Sequence, residues 1–310
     1  MEQSPTDPIR PHSAEYFGEQ RDYWWNSDFL QLIARRLDFA RISIVLDIGC
    51  GVGHWGRALS PILPPDARLI GIDREPEWVQ GATARAAAAG LASRFSYRQG
   101  DCTALPFADG TFDLVTCQTV LIHVADPRAV LAEMLRVTKP GGLVLAVEPN
   151  NLANGVLASS IHAALSTDEL VDLFRFQLTC ERGKQNLGLG FNSVGGLVPG
   201  MLASLGAGDI RVCTSDRAAA MFPPFAGPAQ QADVLQTLDW AERDFWIWDQ
   251  RETKSYYLAG DGDPARFEPL WALAMSVNRA TADAIRAGTY HSAGGSMSFI
   301  ISGRKPAAAL

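Results

Sequence analysis

The chain has 310 residues, 47% of them hydrophobic, enough to bury one large core or two small ones. Its formal net charge is −7 and basic clusters such as Arg35-Arg36 are short, which argues against a broad nucleic-acid footprint, because phosphate binding needs clustered Lys and Arg. Residues 1–11 show neither a signal-peptide core nor an Arg-rich amphipathic pattern, no apolar run reaches membrane-spanning length, and the five cysteines lack metal spacing. These features predict a cytoplasmic protein with reduced thiols, no membrane partner and no metal.

Residues 13–39 predict helix in two pieces. Tyr16, Phe17, Tyr23, Trp24 and Trp25 come first, and Phe29, Leu30, Leu32, Ile33 and Leu37 follow at core spacing. Adjacent helix positions face different ways, so part of the Tyr23-Trp24-Trp25 run is expected over a ligand. Ile44-Val45-Leu46-Asp47-Ile48 is an apolar run with one charge, the pattern of a buried parallel strand. Gly49, Gly51 and Gly53 then turn the chain into a helix over about 54–60. Free N–H groups at such a turn suit the polar parts of a nucleotide-like ligand. Gly51-x-Gly53-x-x-Gly56 fits the dinucleotide fingerprint by letter, with Asp73 near its ~20-residue offset. A tight turn without a ligand uses the same glycines, so they do not decide.

Strand and helix then alternate. Strands are predicted over 68–72, 95–98, 112–117 and 143–147, helices over 76–89 and 127–138, and a turn at Lys139-Pro140-Gly141-Gly142. A helix near 194–205, a strand near 209–214 and a last strand over 296–302 resume the pattern. The alternation predicts a doubly wound, mostly parallel α/β sheet, in which a ligand sits beyond the carboxyl ends of the strands. Asp47, Asp73, Asp101, Gln118 and Glu148 all map to that edge. Two stretches fall outside the sheet: an insertion over 151–192, and 216–294, which is rich in Trp and Tyr and has a helical pattern from Leu270 to Ile285.

Five motifs, in order, carry a resemblance over residues 40–150. Val45-Leu46-Asp47-Ile48-Gly49-Cys50-Gly51-Val52-Gly53 resembles motif I of the class I S-adenosylmethionine (SAM) methyltransferases. Ile72-Asp73 is similar to the acid ending their second strand, and Gly100-Asp101 through Pro106-Phe107, with Phe112-Asp113-Leu114-Val115, resembles the third-strand motif and fourth strand. His123-Val124-Ala125-Asp126-Pro127 resembles the next helix start, and Leu135 through Gly142 the turn typical of the UbiE-like, small-molecule branch. The resemblance implies a Rossmann-like seven-stranded sheet with an antiparallel last strand. It also settles the cofactor as SAM, with S-adenosylhomocysteine (SAH) as product.

By that resemblance Asp47, Gly49, Gly51, Gly53, Asp73, Arg74, Asp101, Cys102 and Gln118 form the cofactor site. Asp47 faces the methionine amino group or holds the loop, Asp73 takes both ribose hydroxyls, and Asp101 and the Cys102 backbone take adenine. Trp78 packs near adenine or belongs to the core. His123 and Glu148 are the candidate bases, with a loop-fixing role as the alternative for each. Tyr16, Trp24, Trp246, Tyr256 and His291 are candidate substrate residues. The implied organisation is a helical segment at 1–40 covering the cofactor, a core at 41–215 with the 151–192 insertion, a helical substrate lid at 216–294, and the last strand and tail at 295–310. The implied activity is methyl transfer to N, O or C of a small-molecule acceptor. A non-catalytic SAM-binding module and a peptide or protein methyltransferase stay open, as does homodimerisation through the insertions.

Overall fold

The computed structural model describes Tyr16 and residues 18–156, 159–294 and 297–307. Expectations placed on 1–15, on Phe17, on the start of the last strand at Ser296 and on the end of the tail therefore lie outside the described residues. A short 3-10 turn, Glu19–Tyr23, precedes α1 (Ser27–Arg36), whose Phe29, Leu30 and Ile33 are buried. β1 (Ile44–Ile48) leads through the glycine turn to α2 (His54–Leu59), and β2 (Arg68–Asp73) to α3 (Pro76–Ala88). β3 (Phe95–Gln99), β4 (Phe112–Gln118), α4 (Pro127–Val137) and β5 (Thr138–Pro149) follow. Pro at the first turn of α3 and α4, and Asp126 accepting from the Ala129 N–H at α4, start these helices where the sequence signals them.

The insertion holds α5 (Thr167–Asn186), started by a Ser166–Glu169 capping box. α6 (Val198–Ser204) and β6 (Gly208–Thr214) return to the sheet. α7 (Pro228–Glu242), α8 (Gln250–Ala259) and α9 (Phe267–Arg286) form the second insertion, and β7 (Ser298–Arg304) closes the chain. The seven strands lie in the order β3-β2-β1-β4-β5-β7-β6. β1 to β5 run parallel, and β7 runs antiparallel between β5 and β6. The sheet is the seven-stranded one expected.

Alternate residues of the strands feed two cores. Leu46, Ile48, Val115, Cys117, Val144 and Ala146 pack with α4 and α6 on one face. Val45, Leu69, Leu114, Leu145 and Val147 pack with α1, α2 and Ala86 of α3 on the other. Fully burying such a side chain stabilises by about 1.5–3 kcal/mol. A third core belongs to the insertions: Phe176 and Cys180 of α5 meet Trp248, Tyr256, Tyr257, Phe267 and Trp271. There α5 and α8 cross backbone to backbone, since a Cβ on Gly183 would fall 1.7 Å from the Tyr256 oxygen and one on Gly260 2.0 Å from the Thr179 oxygen.

One expectation is corrected. Lys139-Pro140-Gly141-Gly142 is not a free turn but part of β5, with a register shift against β4 between Phe112 and Leu114. β7 ends opposite Leu143, and the residue after it continues the pairing: Gly141 N–H donates to the Lys305 oxygen while Lys305 N–H donates to the Gly142 oxygen. Turn residues are thus absorbed as a bulge because a neighbouring strand supplies their hydrogen bonds.

Candidate cofactor and acceptor site

The carboxyl ends of β1, β2 and β4, the N-terminal turn and both insertions enclose a cavity of about 1920 Å³. Asp47, Gly49, Gly51, Asp73, Arg74, Asp101, Cys102, Gln118 and His123 line it, as do Trp78, Tyr16, Trp24, His162, Trp246 and Tyr256.

The glycine turn is built as its sequence requires. Gly49, Gly51 and Gly53 have φ of +59°, +52° and +83°, a region L side chains rarely adopt. A Cβ at Gly49 would also fall 2.5 Å from a Val120 methyl. Gly53 stands behind the turn, against the Tyr97 hydroxyl. Asp73 holds the turn from β2: one oxygen accepts the Gly51 N–H at 2.8 Å and the other the Glu75 N–H at 3.0 Å. A carboxylate has about four acceptor positions, so capacity for further donors remains.

Asp47 is different. It is 1% exposed, lines the cavity, and neither carboxylate oxygen has a hydrogen-bond partner. Burial and the nearby Asp73 carboxylate push its carboxyl up to about 8, against the pull of Arg21 and of the Gly56 N–H, which approaches without forming a hydrogen bond. A buried polar group without a partner is rare and costly, and this one sits in the wall of a cavity.

Arg21, which the sequence reading missed, comes from the 3-10 turn of the N-terminal segment. It donates to Thr119 Oγ1 at 2.9 Å and lies over the Trp24 ring at 4.7 Å. Burial lowers its pKa to about 10, while Asp47 opposes that shift. Beside it His54 is fixed between two charged partners, its Nδ1 2.9 Å from Asp22 Oδ1 and its Nε2 2.8 Å from an Arg85 nitrogen. Burial, with Arg21 and Arg85, brings His54 down to about 4. It is therefore neutral at pH 7, and accepting from Arg85 at Nε2 assigns its proton to Nδ1.

Asp101 is exposed and accepts from the Thr103 N–H at 2.8 Å and hydroxyl at 2.7 Å, which holds its carboxyl below the usual range. Arg74 is an exposed rim residue reaching Glu75. Burial lifts the Cys102 thiol to about 11, so it carries no charge at neutral pH.

Besides Gly53, two residues are placed away from the expected site. Glu148 is fully buried and is not among the cavity-lining residues. Its Oε1 accepts from the Val120 and Leu121 N–H groups, both at 3.0 Å, and from Cys117 Sγ at 3.5 Å. Burial raises its carboxyl to about 7. It fixes the turn that packs on Gly49, the loop-fixing role given above as its alternative. His291 is exposed, bordering a separate shallow depression with Ser160 and Met221, and its N–H donates to Ser160 Oγ. The bridges of Met221 and Ser159 to Ser292 carry this segment away from the cavity.

His123 ends a short 3-10 turn after β4, half-buried, on the cavity wall. On the insertion side Tyr16 donates to the Ile247 oxygen at 3.0 Å and meets Trp240 edge-on at 5.3 Å. Trp246 stacks on Phe176 at 5.0 Å, and Tyr256 donates to Glu252 at 3.3 Å. Trp248 is wholly buried, so the Trp and Tyr cluster is first a core, with a few rings reaching the cavity. Among the described residues no group of three or more His, Cys, Asp or Glu could hold a metal ion, and no helix is long and apolar enough to cross a membrane.

A mostly parallel sheet with an antiparallel β7, and a glycine turn between two acids at its carboxyl edge, make a Rossmann-like α/β domain. Residues 46–146, about a third of the chain, match the family described as methyltransferase domain. Relatives include demethylmenaquinone methyltransferase of Geobacillus kaustophilus, 33% identical over 129 residues, covering 42% of this chain and 53% of the relative. Ajmaline N-methyltransferase of Rauvolfia serpentina is 34% identical over 125 residues, covering 40% of this chain and 38% of that one. A solved structure of a candidate methyltransferase from Bacillus halodurans shares the fold at TM-score 0.50 and 20% identity, over 91% of this chain and 99% of that one. The chain thus spans about half or less of the length of these two curated relatives, and the family match, ending at residue 146, leaves out both insertions.

Proposed function

We propose that this protein transfers a methyl group from SAM to N, O or C of a small-molecule acceptor. Asp47 carries the reading: a buried carboxylate with no partner, in a cavity wall beside a glycine turn, asks for a cation, and the α-ammonium of the methionine moiety supplies one. Dinucleotides carry no ammonium: the pyridinium of oxidised NAD is a cation but has no N–H on its charged nitrogen to donate to a carboxylate. The residues present fit the cofactor. Asp47 would hold the ammonium, Asp73 the ribose hydroxyls, the glycine turn the backbone of the methionine part, and Asp101 with the Cys102 backbone the adenine. Arg21 adds a guanidinium for the methionine carboxylate.

When bound, SAM supplies a methyl carbon already activated by its sulfonium. The protein has then to hold the acceptor in line and keep water out. Proximity and orientation are worth roughly 7–11 kcal/mol, and a base adds about 10²–10⁴-fold. His123 is the proposed base or acceptor contact. Trp24, Trp246 and Tyr256 are proposed to line the acceptor chamber, with 216–294 as the lid and the N-terminal turn as a strap over the cofactor. Relatives named for demethylmenaquinone and ajmaline support a small acceptor, and the proposed setting is the cytoplasm. The test is methyl transfer from [methyl-³H]SAM to a panel of small amines, phenols and acidic carbon compounds. Labelled product with SAH formation supports the reading. Tight SAH binding without transfer to any panel member, or transfer only to peptides, turns it toward a regulatory module or a protein methyltransferase. A His123→Ala rate unchanged at saturating SAM removes His123 from the chemistry.

A further inference from the structure

Helix α5 carries a stripe that a simple cover over a cavity does not need. Gln177, Glu181 and Lys184 are spaced four and three residues apart, which puts them on one face, and all three are buried. Gln177 Nε2 donates to the Asn151 oxygen at 3.1 Å and to Glu181 Oε1 at 3.2 Å, and Ser193 Oγ donates to Glu181 Oε2 at 2.7 Å. Lys184 is 1% exposed, and its Nζ donates to the Ile122 oxygen at 2.9 Å and to Asn192 Oδ1. Glu181 and Glu252 of α8 act on it only through space. The stripe thus ties the insertion to the ends of β4 and β5.

Burying an ammonium is costly unless its hydrogen bonds compensate, and a methionine would fill the same space. What the ammonium adds is a hold on the Ile122 carbonyl, one residue before His123. The loop after α5 closes on the same backbone. Gly190 has φ +93°, and a Cβ there would fall 2.2 Å from the Ile122 oxygen and 2.9 Å from the His123 carbonyl carbon. Asn192 is held in turn, its backbone oxygen accepting from Asn151 Nδ2 at 2.9 Å. Lys184 and Asn192 both line the cavity alongside His123.

We infer that Lys184 is a positioning residue: from the inserted helix it holds the Ile122 carbonyl and thereby sets how His123 is presented to the acceptor chamber. The insertion is then part of the scaffold of the reacting end, not only a cover. This rests on the methyl-transfer reading for the meaning of His123, but its test needs no turnover.

The full chain, labelled at Ile Cδ1 and His Cε1, is compared by NMR as wild type, Lys184→Met, Lys184→Arg and Asn192→Ala, with SAH affinity measured on the same samples. Lys184→Met is expected to shift the Ile122 and His123 signals by more than a linewidth, and Lys184→Arg to move them back toward wild type. Asn192→Ala, which leaves every charge in place, should shift the same two signals and so separate positioning from a charge effect. SAH affinity should stay within twofold, since Asp47 and Asp73 are untouched. Wild-type signal positions in folded Lys184→Met overturn the inference. So does a Lys184→Met chain that fails to fold combined with unshifted signals in Asn192→Ala, which makes Lys184 a stability residue alone. Failure of the wild type to bind SAH would sink the cofactor reading and leave the NMR comparison standing.

Discussion

Asp47→Asn should make the protein more stable and a worse binder of SAH. Between an unfolded value of 3.8 and a folded value of about 8, each pH unit costs about 1.4 kcal/mol. The folded state holds this proton more tightly than the unfolded one, so stability falls as pH rises from about 4 to about 8. At pH 7 the penalty is about 4 kcal/mol. An asparagine avoids the charge but leaves a buried amide, which returns about 1–3 kcal/mol of cost. The expected net gain is about 1–3 kcal/mol, a Tm rise of a few degrees, growing toward pH 8. Binding moves the other way. Loss of a charge-assisted hydrogen bond worth about 1.5–3 kcal/mol weakens SAH about 10–100-fold. In the wild type the ammonium needs the ionised carboxylate, so below pH 8 binding expels a proton. Calorimetry at pH 6 in two buffers of different ionisation enthalpy should give different heats, and affinity should climb toward pH 8. Buffer-independent heats, together with an Asp47→Asn affinity within twofold of wild type, would refute this reasoning.

Other substitutions separate cofactor roles from framework roles. Asp73→Ala removes the acceptors of Gly51 and Glu75 as well as those proposed for ribose, so SAH affinity should drop at least about 100-fold by calorimetry while circular dichroism reports a folded chain. Glu148→Ala leaves the Val120 and Leu121 N–H groups buried without an acceptor and should cost about 2–4 kcal/mol, read as a Tm fall of about 5–10 °C. Glu148→Gln keeps the acceptor and abolishes the stability loss of about 3 kcal/mol that the raised carboxyl imposes as pH rises from 4.5 to about 7, so after about 1–3 kcal/mol for the buried amide it should be about 0–2 kcal/mol more stable than wild type at pH 7. A base role for Glu148 would instead spare Tm and collapse transfer in Glu148→Gln. Gly49→Ala, strained at φ +59° and driven into Val120, should lower both Tm and SAH affinity.

The sheet was legible because its signals are local. Ile44 to Ile48 is an apolar run closed by glycines, and Gly, Pro or Asp marks at least one end of every later strand. The edge that carries Asp47, Asp73 and Asp101 follows from that alternation alone. What was missed depends on distant packing. Arg21 reaches Thr119 from 98 residues away, and nothing in its neighbourhood distinguishes it from a surface arginine. Gln177, Glu181 and Lys184 look in sequence like the solvated side of a helix, and only the docking of α5 on the strand ends buries them. His291 was misplaced because nearness to β7 in sequence does not fix on which side of the fold the preceding segment runs. Glu148 lay at the predicted edge, but whether a strand-end acid points into a cavity or back into a turn depends on the neighbouring strand's connection, here Val120 and Leu121.

The most direct test of the central claim is calorimetric titration of the intact chain with SAH, SAM and NAD in parallel. The account predicts micromolar binding of SAH and SAM and none of NAD. Binding of NAD alone would mean that the glycine turn serves a dinucleotide, and the roles given to Asp47, Asp73 and Arg21 would go with it.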